Sequence, residues 1–179
     1  LSRRIKPIMD PYTIGSLIGD LASVAGLILL GSFFVAAEIA LISLRESQVR
    51  QLSSRGKRGA KVSVLTSNPN RFLAAAQVGV TVCGFLSAAL GAERLGVYVI
   101  PQLVDLGFSD NAANVTSLIG VTLVIAYFSL VFGELVPKRV ALYRTEQIAM
   151  YSAGFIDIVA KIFRPVIWVL SHSTSLVVR

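Results

Sequence analysis

Four oxygen-bearing side chains stand inside apolar runs, where such groups are costly: Glu38 in "FFVAAEIALISL", Gln77 and Thr81 in "AAAQVGVTV", and Glu134 in "FGELVPKRVAL". A carboxylate inside lipid is rarely tolerated without a role, and the roles open to it here are cation ligand or counter-charge. Glu134 follows Gly133 directly and stands three residues before Pro137. Proline has no N–H, so carbonyls around Gly133 lose a helical donor, and glycine lets a second backbone approach. Freed carbonyls beside a carboxylate suit a hard cation such as Mg2+. The plainer alternative is a side chain near a helix end that pairs with Lys138 at i+4. For Glu38 the plainer alternative is a structural hydrogen bond to a neighbouring helix or to the loop that follows. Gln77 and Thr81, at i and i+4, read either as glue between helices or as cation ligands.

These residues need membrane helices to hold them. With 54% hydrophobic and 15% charged residues and a mean hydropathy of +0.71, the chain departs far from soluble composition. Crossing roughly 30 Å of hydrocarbon takes about 20 helical residues. Three stretches are long enough: 14–44, 72–106 and 112–136. Glu93 and Arg94 interrupt the second, so its deep part is expected to be 72–90, with the remainder running to or along the interface. Small residues Gly31, Ala36, Ala37 and Ala40 on the first helix allow close helix approach.

Charge sets the expected orientation. Seven bases lie between Arg45 and Arg71, and Lys138, Arg139 and Arg144 follow the third span, whereas "DLGFSDNAAN" carries two aspartates and no base. The N-terminus is therefore expected outside and the C-terminus in the cytoplasm, against the short basic tail "LSRRIK". The domain reading is a tail at 1–13, a three-helix membrane domain at 14–145 with a basic cytoplasmic loop at 45–71, and a juxtamembrane helix at 146–179. In that last segment Asp157, Lys161 and Arg164 share one helical face, Trp168 suits the headgroup level, and Pro165 bends the helix. The fold class is thus an all-α membrane protein with three transmembrane helices and an amphipathic juxtamembrane helix.

Counted from the cytoplasmic ends, the polar residues fall in one layer. Glu38 is seven positions before Arg45, Gln77 and Thr81 are six and ten after Arg71, and Glu134 is four before Lys138. At about 1.5 Å per residue, that puts all of them very roughly 5 to 15 Å inside the boundary. Asp20, Tyr127 and Ser129 are placed to line an outward path, although a lone Tyr or Ser in a span is more often packing.

The stretches "FFVAAEIALISLRESQVRQL", "NPNRFLAAAQVGVTVCGFLSAALGAERLG" and "FGELVPKRVAL" resemble the membrane domain of the CorC/CNNM family of divalent-cation transporters, often called hemolysin-like, in the family's order and over most of the chain. The resemblance implies three transmembrane helices, a belt-like juxtamembrane helix, a homodimer in the bacterial plasma (inner) membrane, and Mg2+ transport, commonly efflux coupled to Na+. It also implies that cytoplasmic CBS domains continue the chain. Carried over by position, the family's acid before the proline falls on Glu134 and its first-helix acid on Glu38. Where many members have serines, this chain has Val35 and Ala37; where they have asparagines, it has Val80, Thr81 and Gly84. Gln77 and Thr81 stand in for the asparagines, and Ser32 and Ser43 remain on the first helix. The expected cation site is therefore Glu134 with the backbone around Gly133 and some of Ser43, Gln77 and Thr81. Glu38, Ser32, Pro137 and Lys138 support it or line its pathway.

Three functions stay open: a divalent-cation transporter, an exporter of an organic cation such as a polyamine, and a non-transporting anchor or sensor for cytoplasmic domains. Enzymatic chemistry is not expected, since no nucleophile lies beside a base and no phosphate loop is present. One cysteine, Cys83, and one histidine, His172, leave no material for an internal disulfide or a histidine metal cluster. The +7 net charge reads as a topology signal rather than a nucleic-acid face, because no soluble basic face with aromatic readers accompanies it. The basic loop "RQLSSRGKRGAK" reads as a linker near anionic lipid.

Overall fold

A computed structural model describes residues 13–177 as helices joined by short turns. In chain order these are α1 (Thr13–Ser43), α2 (Glu46–Ser53), α3 (Lys57–Thr66), α4 (Pro69–Asp105) and α5 (Asp110–Phe128), then a π-helical segment (Ser129–Leu135), α6 (Val136–Tyr143), α7 (Thr145–Ile162) and α8 (Arg164–Val177). Three continuous apolar stretches are long enough to cross a bilayer: Ile14–Ser43, Pro69–Asp105 and Asp110–Tyr143. The chain is a multi-pass, all-α membrane protein. The expected tail 1–13 lies, apart from Thr13, outside the described residues.

The expected second stretch, 72–106, is one helix: α4 runs through Glu93 and Arg94 to Asp105 with Pro101 inside it. The third span does not end at Val136; helix persists to Tyr143 through the π segment and α6. A π turn widens the helix by one residue and lets the backbone pass Pro137 without stopping.

The chain forms two compact units. One comprises 13–27 and 86–127 of the described residues, the other 28–85 and 128–177. In the first, α5 presents Ala113, Ser117, Val121 and Ile125 at four-residue spacing, all buried. Ser117 Oγ donates to the Gly96 carbonyl at 3.3 Å, and a side chain on Gly91 would run into Ile125.

The second unit holds the main apolar core, with Phe34, Leu41, Leu52, Val62, Phe72, Ile156 and the alanines of α7 among its buried members. The small residues of α1 are used inside the chain: Ala37 and Ala40 are fully buried, and a Cβ on Gly31 would stand 3.3 Å from that of Cys83. The segment expected as a basic linker is instead a helical hairpin. Gly56 turns it at φ +87°, Gly59 lies against the Leu52 carbonyl, and α3 packs on α7. Gln48 Nε2 donates to Glu146 at 3.0 Å, Arg55 lies 3.8 Å from the same carboxylate, and Arg58 sits 5.7 Å over the Tyr151 ring. Part of the positive charge therefore faces α7. On α7 the buried side carries Ala149, Ala153, Ile156 and also Asp157, while Ile158 and Ile162 are exposed. Asp157 thus turns toward the core rather than outward, and Lys161 reaches it at 2.8 Å.

Candidate cation-binding site

The π segment carries the residues that the motif singled out. The Val136 N–H donates to the Val131 carbonyl, five residues back. Pro137 has no N–H, so in this five-residue register the next carbonyl, that of Phe132, meets no donor; in an α register the gap would fall on Gly133. Either way, a carbonyl beside Glu134 lacks its usual helical partner. Gly133 and Pro137 are buried. A Cβ on Gly133 would lie 3.4 Å from Ser129 Oγ and 3.6 Å from Ile28 Cγ2, with the Ile28 carbonyl at 3.9 Å. The glycine thus sits close to α1, and its own backbone is the surface presented there.

Glu134 is not empty-handed: Lys138 Nζ lies 3.1 Å from its Oε2, with both side chains a little under half exposed. Lys138 also acts electrostatically on Glu38 of α1, which is half-buried. Lys138 therefore pairs with Glu134 and lies within electrostatic range of Glu38. The ammonium group of Lys138 already neutralises one oxygen of the Glu134 carboxylate.

The remaining expected ligands are less gathered. Gln77 Nε2 and Thr81 Oγ1 face each other at 3.5 Å, both on the exposed side of α4. Among the described residues they hydrogen-bond each other and not Glu134. Ser43 is exposed in the last position of α1, while Ser32 is half-buried near its middle. Among the described residues no three His, Cys, Asp or Glu side chains cluster as a metal site. Oxygen donors at Glu134 would have to include the backbone, water or groups brought by a change of conformation.

Two features of the neighbourhood were not read from the sequence. One is the π segment, whose sequence signal is a proline inside an apolar helix rather than at its end. The other is the stacking of Phe128 and Phe132, ring centres 6.0 Å apart and planes 13° apart, just before Glu134. A separate open cleft of about 590 Å³ is lined by Gln48 and 142–147, at the junction of α6 with α7. It holds Glu146, whose carboxylate ties down the hairpin, and not Glu134.

The profile of the CNNM family, described as the cyclin M transmembrane N-terminal domain, matches residues 22–179. The chain is 38% identical over 154 residues to UPF0053 protein sll0260 of Synechocystis, covering 86% of this chain and 34% of that protein. It is 32% identical over 163 residues to UPF0053 protein YhdP of Bacillus subtilis, covering 90% of this chain and 37% of the relative. A protein of Haemophilus influenzae named polyamine export protein is 29% identical over 157 residues, covering 87% and 36%. The chain thus spans about a third of the length of the curated relatives it matches.

Proposed function

Since this chain belongs to the family of cyclin M transmembrane N-terminal domains, we propose that it is the membrane-embedded unit of a cation transporter, that Mg2+ is its cargo, and that Glu134 is the cargo's principal ligand. The observation that carries the reading is the placement of Glu134 in a π segment directly after buried Gly133 and before Pro137. Such segments recur at functional sites, and this one sets a carboxylate beside a carbonyl that lacks its helical donor. Mg2+ sheds water reluctantly and keeps several waters in most sites. Two carboxylates, Glu38 and Glu134, are enough to hold a partly hydrated ion without a closed protein cage.

In this account Lys138 is the tethered cation that neutralises Glu134 between transport events, and Glu38 attracts the cargo toward the same place. Gln77, Thr81, Ser32 and Ser43 supply neutral oxygens in a conformation where α1 and α4 close on the π segment. The transporter works in the bacterial plasma membrane as a homodimer, exports Mg2+, and uses Na+ as the coupling ion. Flux of Mg2+ into proteoliposomes holding the 179-residue chain, compared with Glu134→Gln, is the direct test. Equal flux from both proteins rejects Glu134 as the ligand.

A second reading is export of an organic polycation. Its support is the relative named polyamine export protein and the stacked Phe128 and Phe132 on the chain just before Glu134, since aromatic faces attract ammonium groups. Glu38 and Glu134 would then be paired counter-charges. Competition between spermidine and Mg2+ for the same stabilising effect separates the readings.

A further inference from the structure

A second polar group lies in the unit formed by 13–27 and 86–127, and its centre is Asp20. Arg94 Nη1 stands 3.3 Å from Asp20 Oδ1. The Tyr98 hydroxyl is 3.2 Å from Oδ2 and 3.0 Å from Ser16 Oγ. Ser16 and Asp20 fall inside the apolar helix Ile14–Ser43, and Arg94 and Tyr98 inside Pro69–Asp105. An acid and a base in such segments are functional candidates by default. The two partners are unequally enclosed: the Asp20 side chain is 19% exposed and that of Arg94 47%. The carboxylate is the enclosed member, while the guanidinium reaches it on a long, half-exposed stem.

Three side chains therefore bring four oxygens into one chain of short contacts: both oxygens of Asp20, the Tyr98 hydroxyl and the Ser16 hydroxyl. Oxygen donors of this kind are what a hard cation selects, and here a guanidinium already stands against one of them, Asp20 Oδ1. The Arg94 guanidinium serves as a tethered stand-in for a cation, and it spares Asp20 the cost of an unpaired charge in an apolar segment.

We propose that Asp20, Tyr98 and Ser16 form a second cation-binding site, and that Arg94 is the resident charge an incoming hard cation displaces. The inference rests on the transport reading above. The contrasting view is an ion pair that only fastens α1 to α4. The two differ in sign, because removing Arg94 tightens cation binding if Arg94 competes with the cation and only weakens the fold if it is a fastener.

The deciding experiment follows thermal stability of the full 179-residue chain in detergent, titrated with Mg2+ and separately with Na+ at constant ionic strength. Arg94→Gln is expected to move the midpoint of stabilisation to lower concentration by about tenfold or more, the scale of removing a unit charge a few ångströms away in a partly screened setting. Adding Asp20→Asn to that variant abolishes the gain. The ion showing the larger gain identifies the cation. The same variants in a Glu134→Gln background keep the Asp20 response, so failure of the Glu134 reading and failure of this one are separately visible. An unchanged midpoint in Arg94→Gln, or a gain that survives Asp20→Asn, overturns the proposal. If Arg94→Gln does not fold, Tyr98→Phe decides in the Glu134→Gln background. Removing one oxygen while leaving the ion pair weakens binding severalfold if the site exists, and an unchanged midpoint rejects it.

Discussion

Lys138 holds its ammonium 3.1 Å from the Glu134 carboxylate, one helical turn away across Pro137. On the proposed reading, this contact makes an incoming cation compete with Lys138 for the carboxylate. Lys138→Gln should therefore lower the Mg2+ concentration at half-maximal stabilisation by about tenfold, in line with loss of a neighbouring unit charge at intermediate screening. Titration of the purified variant reads this directly. A higher midpoint would mean that Lys138 helps to build the site.

Pro137 interrupts the donor series that the carbonyls of Phe132 and Gly133 need. Pro137→Ala restores an N–H and allows the π segment to relax toward α-helix. The variant should keep or gain about 1 kcal/mol of stability, the usual worth of one backbone hydrogen bond, and lose the Mg2+-dependent shift. Retention of the full shift would show that the proline is only a structural feature.

Gly133 has room for one methyl and little more. Gly133→Ala places its Cβ at 3.4 Å from Ser129 Oγ and 3.6 Å from Ile28 Cγ2, ordinary contact distances, so the fold should tolerate it. Gly133→Val presses further methyls on the same neighbours and should cost about 1–3 kcal/mol. Parallel thermal melts of the two variants check the contrast.

Gly59 differs because the atom in its way is backbone. Its Cβ would overlap the Leu52 carbonyl, which cannot swing aside like a side-chain tip. Gly59→Ala should open the α2–α3 hairpin, at a cost of about 2–4 kcal/mol by the overpacking route. The expected sign is faster proteolysis at Arg55, Lys57 and Arg58, and wild-type cleavage rates would refute it.

Much of this architecture was legible because lipid simplifies the code. Apolar length alone marks the stretches that contain α1, α4 and α5, and Glu134 draws attention because an acid is conspicuous there. What escaped the sequence depends on partners distant along the chain. Glu93 and Arg94 interrupt an apolar stretch, and nothing near them in the chain shows that Arg94 meets Asp20, more than seventy residues earlier. The basic loop 45–71 looked like a linker because its helices are short and charged, and packing of α2 on α3 and of α3 on α7 makes them persist. Asp157, Lys161 and Arg164 share a face by spacing, but that spacing does not say that Asp157 lies on the side of α7 that meets the core. The π segment leaves no periodic trace, since one inserted residue shifts the phase of a stretch that is apolar on all sides.

The central claim is that a cation binds at Glu134, and the most direct measurement is thermal stability of the 179-residue chain in detergent against Mg2+, Mn2+, Ca2+ and spermidine, for wild type and Glu134→Gln. A ligand that binds only the folded state stabilises it by mass action, about 2.7 kcal/mol at a hundred times its dissociation constant. A saturable shift with Mg2+ is expected in the wild type and its loss in Glu134→Gln. The same Mg2+ shift in both proteins, or a shift with spermidine alone, would contradict it.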